Sequence, residues 1–135
     1  MNIKTLAAAL ATAALLAACG TTKTTAPAAG AKPSTLTQAA DGTLIGPDGR
    51  TLYVFAKDVA GSGKSTCVDA CAANWPPLPV AASAAPLGDY TIITRADGSK
   101  QWAFKGMPLY YYVKDTKAGD KLGDGVGGIW KIARP

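Results

Sequence analysis

The stretch GRTLYVFAKDVAG, residues 49 to 61, returns later in the chain as GMPLYYYVKDTKAG, residues 106 to 119. Both stretches read GxxLYx(F/Y)xKD, and each matched residue of the second lies 57 positions after its counterpart in the first. A tryptophan follows each stretch, Trp75 after the first and Trp130 after the second. Similarity at a fixed offset is typical of a duplicated unit, so the sequence predicts two related repeats, at about residues 41–80 and 88–135.

Apolar and aromatic residues alternate within each stretch, which is the period of a β-strand. Tyr53 and Phe55 fall on one face of the first copy, and Tyr110 and Tyr112 fall on the matching face of the second. Short segments rich in β-branched and aromatic residues are expected to form strands at 43–45, 51–56, 90–94, 100–104, 109–113 and 129–132. The predicted fold class is therefore mainly β, an antiparallel meander or sandwich in which two repeats cover each other's apolar faces.

The residues that recur in both copies form a candidate site. Asp58 and Asp115 follow the predicted strands, where a carboxylate can accept hydrogen bonds from turn amides or from a neighbouring lysine. We expect a structural role for the whole set, and a binding groove lined by tyrosines is the alternative. The set consists of Tyr53, Phe55, Asp58, Trp75, Tyr110, Tyr112, Asp115 and Trp130.

The segments YVFAKD (53–58) and YYYVKD (110–115) resemble the Yx(FWY)xxD motif of a family of bacterial secreted-repeat lipoproteins, whose members carry the unit in tandem behind a lipobox. The resemblance covers about residues 41 to 135, including CAANWPPL (71–78) and GDGVGGIW (123–130). The family has no established biochemical activity. The resemblance therefore implies an organisation of the chain but no reaction.

The N-terminus has the features of a signal peptide. Lys4 precedes an unbroken apolar run from Leu6 to Leu16, which is shorter than the roughly 20 residues that a bilayer-spanning helix needs. The LAAC that ends at Cys19 resembles the lipobox of bacterial lipoproteins, in which the cysteine becomes the acylated first residue of the mature chain. We therefore predict a signal peptide over residues 1–18 and a lipid anchor at Cys19, with cleavage at an ordinary small-residue site as the alternative.

Residues 20–40 contain mainly Thr, Ala, Pro and Gly without a hydrophobic period, which predicts a flexible tether ahead of a single β-rich domain at 41–135. Several acyl chains on one residue hold a protein firmly on a membrane, so we expect the cell envelope as its location. Gly20, by resemblance to Gram-negative lipoproteins, favours the outer membrane, facing the periplasm, over the inner membrane. The expected partners are the membrane, through Cys19, and an envelope protein or an anionic polymer.

The amino-acid composition excludes most types of catalytic site. The chain has no histidine and no glutamate, which excludes histidine acid–base catalysis, Ser-His-Asp and Cys-His nucleophiles and imidazole metal ligation. Its formal net charge of +5 is scattered singly, which favours a solvated surface over a nucleic-acid interface. The segment AGSGKST (60–66) lacks the first glycine of a P-loop. We therefore expect no enzyme, no cofactor and no nucleic-acid or nucleotide partner.

Cys67 and Cys71 leave three interpretations open. In an oxidising envelope two nearby cysteines usually pair, and a helical turn over VDACAAN (68–74) would bring them close to disulfide distance. The favoured interpretation is a disulfide that aims Trp75 at the core. A redox pair is disfavoured because the spacing is CxxxC and because Asp69 lies between the thiols. A metal site would need aspartate or Met107 to complete its ligands.

The function that follows is a membrane-anchored envelope lipoprotein that acts as a non-catalytic binding or structural module. One alternative is a periplasmic redox or electron-transfer accessory that uses Cys67 and Cys71. Another is binding of an anionic envelope polymer or a metal ion. No metal ligands are assigned, because Asp115, Asp120 and Asp124 do not have the alternating spacing of a calcium loop and its closing glutamate is missing.

Overall fold

The computed structural model describes residues 36 to 135, so Cys19 and the predicted signal peptide lie outside the described residues. Every strand pair within this range is antiparallel, and the one α-helix of the range is short and contains Cys71, which confirms the predicted fold class. The elements are β1 (Thr37–Gln38), β2 (Leu44–Ile45), β3 (Tyr53–Phe55), α1 (Ala70–Asn74), β4 (Tyr90–Thr94), β5 (Lys100–Phe104), β6 (Met107–Pro108), a 3-10 turn (Val126–Gly128) and β7 (Trp130–Ile132).

The strands pair as β1 with β2, β3 with β7, and β4 with β5 with β6. β4 and β5 have the predicted bounds, whereas β1 lies in the stretch that we assigned to the tether. Leu36, next to β1, is only 7 % exposed, so the end of that stretch packs against the domain.

The strand predicted at 109–113 does not form as a regular strand. Tyr110 makes single bridges with Tyr53 on one side and Pro77 on the other, and the neighbouring short strand β6 precedes it. The amides of Tyr111 and Val113 still donate to the carbonyl oxygens of Pro76 and Asn74, but Pro76 has no amide proton to return a bond, so the pairing stays irregular.

The two repeats are interleaved, whereas separate meanders stacked face to face were the expected arrangement. β3 of repeat 1 pairs with β7 of repeat 2, with Tyr53 opposite Ile132. The equivalent residues, Tyr110 of repeat 2 and Pro77 of repeat 1, form the matching bridge. At the centre, the amides of Tyr53 and Tyr110 donate to each other's carbonyl oxygens at 2.8 and 2.9 Å. Each repeat therefore completes the backbone pairing of the other around a common centre.

Apolar side chains form two cores, one on each side of the central pairing, as the alternation predicts. Each buried large apolar side chain contributes about 1.5–3 kcal/mol to stability. The aliphatic core contains Leu36, Leu44, Leu52, Leu78, Trp102, Phe104, Leu109, Tyr111 and Ala133. The aromatic core contains Tyr53, Phe55, Cys67, Trp75, Tyr110, Tyr112, Trp130 and Ile132. No helix within residues 36–135 is long and apolar enough to cross a bilayer.

Candidate functional site

The aromatic core contains a stack of four rings in the order Phe55, Trp130, Trp75, Tyr112. The ring centroids are 4.3, 3.7 and 4.2 Å apart along the stack, and the interplanar angles are 22°, 5° and 22°. Because the rings come alternately from repeat 1 and repeat 2, all three contacts join the two repeats. Each such pair adds about 0.5–1.5 kcal/mol beyond the area it buries, so the stack holds the repeats together.

Two tyrosines pack edge-on against this stack and reach across to the other repeat. Tyr53 contacts Trp75 with centroids 5.4 Å apart, and Tyr110 contacts Trp130 at 5.2 Å. The Tyr53 hydroxyl donates a 2.5 Å hydrogen bond to Asp115 Oδ2. The Tyr110 hydroxyl donates a 2.6 Å hydrogen bond to Asp58 Oδ2. The tyrosine and the aspartate of each motif therefore bond to the opposite copy.

The second carboxylate oxygen of each aspartate accepts from the loop that follows it. Asp58 Oδ1 accepts from the amide and the hydroxyl of Thr66, both at 2.7 Å. Asp115 Oδ1 accepts from the Leu122 amide at 2.9 Å. The Leu122 amide lies in a turn, whereas Thr66 lies outside any turn, and no lysine donates to either carboxylate within the described residues.

The phenol groups are held protonated. Burial raises the pKa of Tyr53 well above its ordinary value, and the hydrogen bond to the Asp115 carboxylate raises it further. Burial and the bond to Asp58 do the same for the pKa of Tyr110. Both hydroxyls are therefore donors at any physiological pH.

Arg95 is a buried residue of this site that no sequence pattern indicated. It is 6 % exposed, and its Nη1 donates to Ser65 Oγ at 2.8 Å and to Gln101 Oε1 at 2.7 Å. Its Nη2 donates to the carbonyl oxygen of Cys67 at 2.6 Å. Ser65 is also 2.6 Å from the Tyr110 hydroxyl, so a chain of hydrogen bonds joins the buried guanidinium to the motif tyrosine.

Cys67 and Cys71 form a disulfide, with an S–S distance of 2.00 Å. Cys67 is fully buried in the aromatic core, whereas Cys71 lies near the start of α1 and is partly exposed. The Trp75 amide donates to the Cys71 carbonyl at 2.8 Å and ends the helix, and Pro76 follows. The disulfide thus connects the helical turn to the core, and Trp75 follows the helix directly ahead of the double proline.

A shallow cavity of about 360 Å³ opens beside Cys71, at the Tyr112 end of the ring stack. Cys71 is part of its wall, whereas Cys67 is not. Lys114 is the one charged residue in the wall. The lining residues are Ala70, Cys71, Asn74, Trp75, Tyr112, Lys114 and Val126.

The structure brings all eight motif residues together, but they do not form an open groove. Tyr53 and Tyr110 have 0 % exposed surface, and both carboxylates are buried. Tyr112 and Trp75 reach the wall of the shallow cavity, but they are themselves buried within the stack. The motif therefore lies inside the domain and supplies the contacts between its halves.

The aspartates of the glycine-rich loop bond to backbone. Asp120 Oδ2 accepts from the amides of Thr116 and Lys117, and Asp124 Oδ1 accepts from the Ile132 amide. Asp120 is thus positioned by the turn around it, and Asp124 by its bond from strand β7. Over residues 36–135 no group of three or more Cys, Asp or related side chains is arranged to hold a metal ion.

Comparison with known protein families matches the chain twice to one family, Lipoprotein_15, described as a secreted repeat of unknown function. The matched segments are residues 35–79 and 91–134, which agrees with the resemblance seen in the motifs. No curated protein and no solved structure gave a significant match. Proteins of this family are secreted, so the domain works outside the cytoplasm. The chain therefore belongs to this family of secreted lipoprotein repeats and carries two tandem copies of the repeat.

Proposed function

We propose that the protein is a lipid-anchored envelope lipoprotein whose domain serves as a non-catalytic binding or structural module. The observation that carries this proposal is the reciprocal bonding of the motif, in which Tyr53 donates to Asp115 and Tyr110 donates to Asp58. These bonds engage the polar groups of the motif inside the domain. The repeated residues therefore maintain a rigid shape, and a partner would meet the surface around them.

Asp41 and Asp97, two carboxylates outside the motif, are poor candidates for acid–base catalysis. The hydrogen bond from Lys121 holds the pKa of Asp41 far below its ordinary value. Bonds from the Ser99 hydroxyl and amide lower the pKa of Asp97. A general acid or base works best with a pKa near the operating pH, and these shifts move both groups away from it. With histidine and glutamate absent from the chain, this supports a module without turnover.

The anchor and its location rest on the lipobox at Cys19. Residues 20–35 separate that cysteine from the first described residue, and a chain of that length can span at most about 55 Å. Such a reach would keep the domain close to the membrane while leaving it free to meet a partner. The proposed location is the periplasmic face of the outer membrane.

An anionic partner fits the surface charge. Asp58 and Asp115 are buried, whereas every lysine of the described residues is exposed, so the surface is more positive than the composition alone implies. Arg95 is the buried cation. An anionic envelope polymer, or an envelope protein with an acidic face, is therefore the proposed binding partner.

The anchor is tested by the intact mass of the secreted protein. We expect a chain that begins at Cys19 and carries acyl groups, and the Cys19→Ser variant should move from the membrane fraction to the soluble fraction. An unlipidated mature chain that begins at another residue would contradict the anchor.

Binding is tested with purified anionic envelope glycans over a range of ionic strength. Retention should fall as salt rises, since exposed charges are screened within about 8–10 Å at physiological salt. Lys105→Gln combined with Lys117→Gln should weaken it, because both lysines are exposed, while Tyr53→Phe, which changes only an internal group, should not. Retention that is insensitive to both salt and the lysine changes would contradict an anionic partner.

A further inference from the structure

We propose that Cys71 is a thiol–disulfide exchange site. An incoming thiolate enters the cavity at the Tyr112 end of the ring stack and attacks Cys71 Sγ, and the sulfur of Cys67 leaves into the core. This goes beyond the anchoring and binding proposed for the domain, and it does not require either of them.

Access differs sharply between the two sulfurs. Cys67 has 0 % exposed surface, whereas Cys71 is partly exposed and forms part of the cavity wall. A nucleophile that enters from the cavity therefore meets Cys71 first. The volume of about 360 Å³ accommodates a small thiol or the tip of a cysteine-bearing loop.

Two positive charges favour this direction of attack. Lys114 lies in the cavity wall and attracts an anionic thiolate toward Cys71. Arg95 donates to the carbonyl oxygen of Cys67 and so places a permanent cation beside the residue whose sulfur leaves. Positive charge near a thiolate stabilises it, and a more stable thiolate is a better leaving group.

Repeat 2 folds without any cross-link at the equivalent place. Cys71 stands four residues before Trp75, and Val126 stands four residues before Trp130. Both residues are partly buried and pack against the aromatic core. Cys67 directly follows Thr66, whose amide donates to Asp58. In repeat 2, Gly123 directly follows Leu122, whose amide donates to Asp115. Val126 and Gly123 thus occupy in repeat 2 the positions that Cys71 and Cys67 occupy in repeat 1. The contacts of the motif therefore do not need the disulfide.

The exchange balances with one added thiol. The thiolate forms a mixed disulfide with Cys71 and the Cys71–Cys67 bond breaks. The Cys67 thiolate then either takes up the proton that the incoming thiol gave up or attacks back to restore the starting disulfide. If the incoming group carries a second thiol, that thiol attacks the mixed disulfide, and the partner leaves oxidised while both cysteines of this chain are reduced. The reductant is therefore a low-molecular-weight thiol or the dithiol of an envelope protein.

The test uses the full secreted chain under native conditions, with excess glutathione as an anionic thiol, mercaptoethanol as a neutral one, and a reduced thioredoxin-fold protein as the dithiol. After acid quenching, proteolysis before Asp69 separates the two cysteines, so mass spectrometry assigns each adduct. We expect adducts on Cys71 to exceed those on Cys67 at least about tenfold, in line with the difference in access. Stable adducts with glutathione would identify a small thiol as a sufficient source, and efficient full reduction by the dithiol protein alone would identify a protein source.

Matched lysine variants test the entry path. Lys114→Gln should slow the reaction with glutathione severalfold and the reaction with mercaptoethanol clearly less, because both thiols attack as thiolates but only glutathione brings additional negative charge. Lys57→Gln, at the equivalent position of repeat 1, should change neither. The proposal is overturned by an even division of adducts, by equal slowing with both thiols in Lys114→Gln, or by exchange only at urea concentrations that also unfold the chain.

Discussion

The two repeats make the same contacts with different loops. In each, a tyrosine bonds to the aspartate of the other copy, and a tryptophan stacks at the centre. The connecting loop of repeat 1 contains α1 and a disulfide, whereas that of repeat 2 contains a 3-10 turn and glycines. Gly123 shows how closely the second loop packs, because a Cβ there would lie 2.8 Å from the Trp75 and Tyr53 rings. The shared contacts are therefore what the fold requires, and the loops are where the repeats diverge.

Loss of either central tryptophan should cause the largest loss of folding stability. Trp75→Ala and Trp130→Ala each remove a ring that stacks on both faces, and such truncations cost about 3–5 kcal/mol. The free energy of unfolding from urea titration followed by far-UV circular dichroism measures this. Because the rings are equivalent, the two losses should agree within about 1 kcal/mol. A much smaller loss for one tryptophan would mean that the repeats do not share the core equally.

The reciprocal hydrogen bonds should rank next. Tyr53→Phe and Tyr110→Phe each leave a buried carboxylate short of a donor, which costs about 1–3 kcal/mol. We expect Tyr110→Phe to cost more, because the second bond of the Tyr110 hydroxyl, to Ser65 at 2.6 Å, connects to Arg95, whereas the second bond of the Tyr53 hydroxyl, from the Gly123 amide, is long at 3.2 Å. Urea titrations of the single variants and of the double variant Tyr53→Phe/Asp115→Asn would give the coupling energy between Tyr53 and Asp115 directly. Fully additive losses in that pair would contradict the bond between the repeats.

Removal of the disulfide should cost at most about 2 kcal/mol, because the loop it closes is short. The double variant Cys67→Ala/Cys71→Val places at residue 71 the side chain that repeat 2 has at Val126. It should fold and keep its ring stack, as near-UV circular dichroism would report. A reduction potential near −200 mV fits an exchangeable bond, whereas one below about −300 mV fits a structural one. An unfolded double variant would mean that repeat 1 depends on its cross-link in a way that repeat 2 does not.

The period of the sequence was sufficient to predict the two faces of the central pairing. Tyr53 and Phe55 entered the aromatic core and Leu52 entered the aliphatic core, because strand alternation depends only on local backbone geometry. The disulfide was also predictable from spacing and compartment. These features depend on neighbours along the chain.

The reciprocal hydrogen bonding between the two repeats was not predictable from the sequence. The offset identifies Tyr53 and Tyr110 as equivalent, but it does not say whether each bonds the aspartate of its own copy or of the other. That choice depends on how the halves pack. The burial of Arg95 has the same origin, because an arginine ahead of an Ala-Asp-Gly turn has the pattern of a surface residue. Its partners Ser65 and Cys67 come from a loop that the sequence does not connect to it.

The smallest change in folding stability per residue is expected in alkaline titration, which also compares the two repeats most directly. Burial, followed by the bond to a carboxylate, raises the pKa of both Tyr53 and Tyr110, whereas in the unfolded chain tyrosines ionise near pH 10.0. Stability is therefore fully present below pH 10 and falls as pH rises, because the unfolded state then releases protons that the folded state retains. Each tyrosine should account for about 1 kcal/mol of the loss between pH 10 and 11. Urea titrations at these two pH values should show Tyr53→Phe and Tyr110→Phe reducing the loss by similar amounts. A reduction in only one variant would show that the buried phenols of the two repeats are not equivalent.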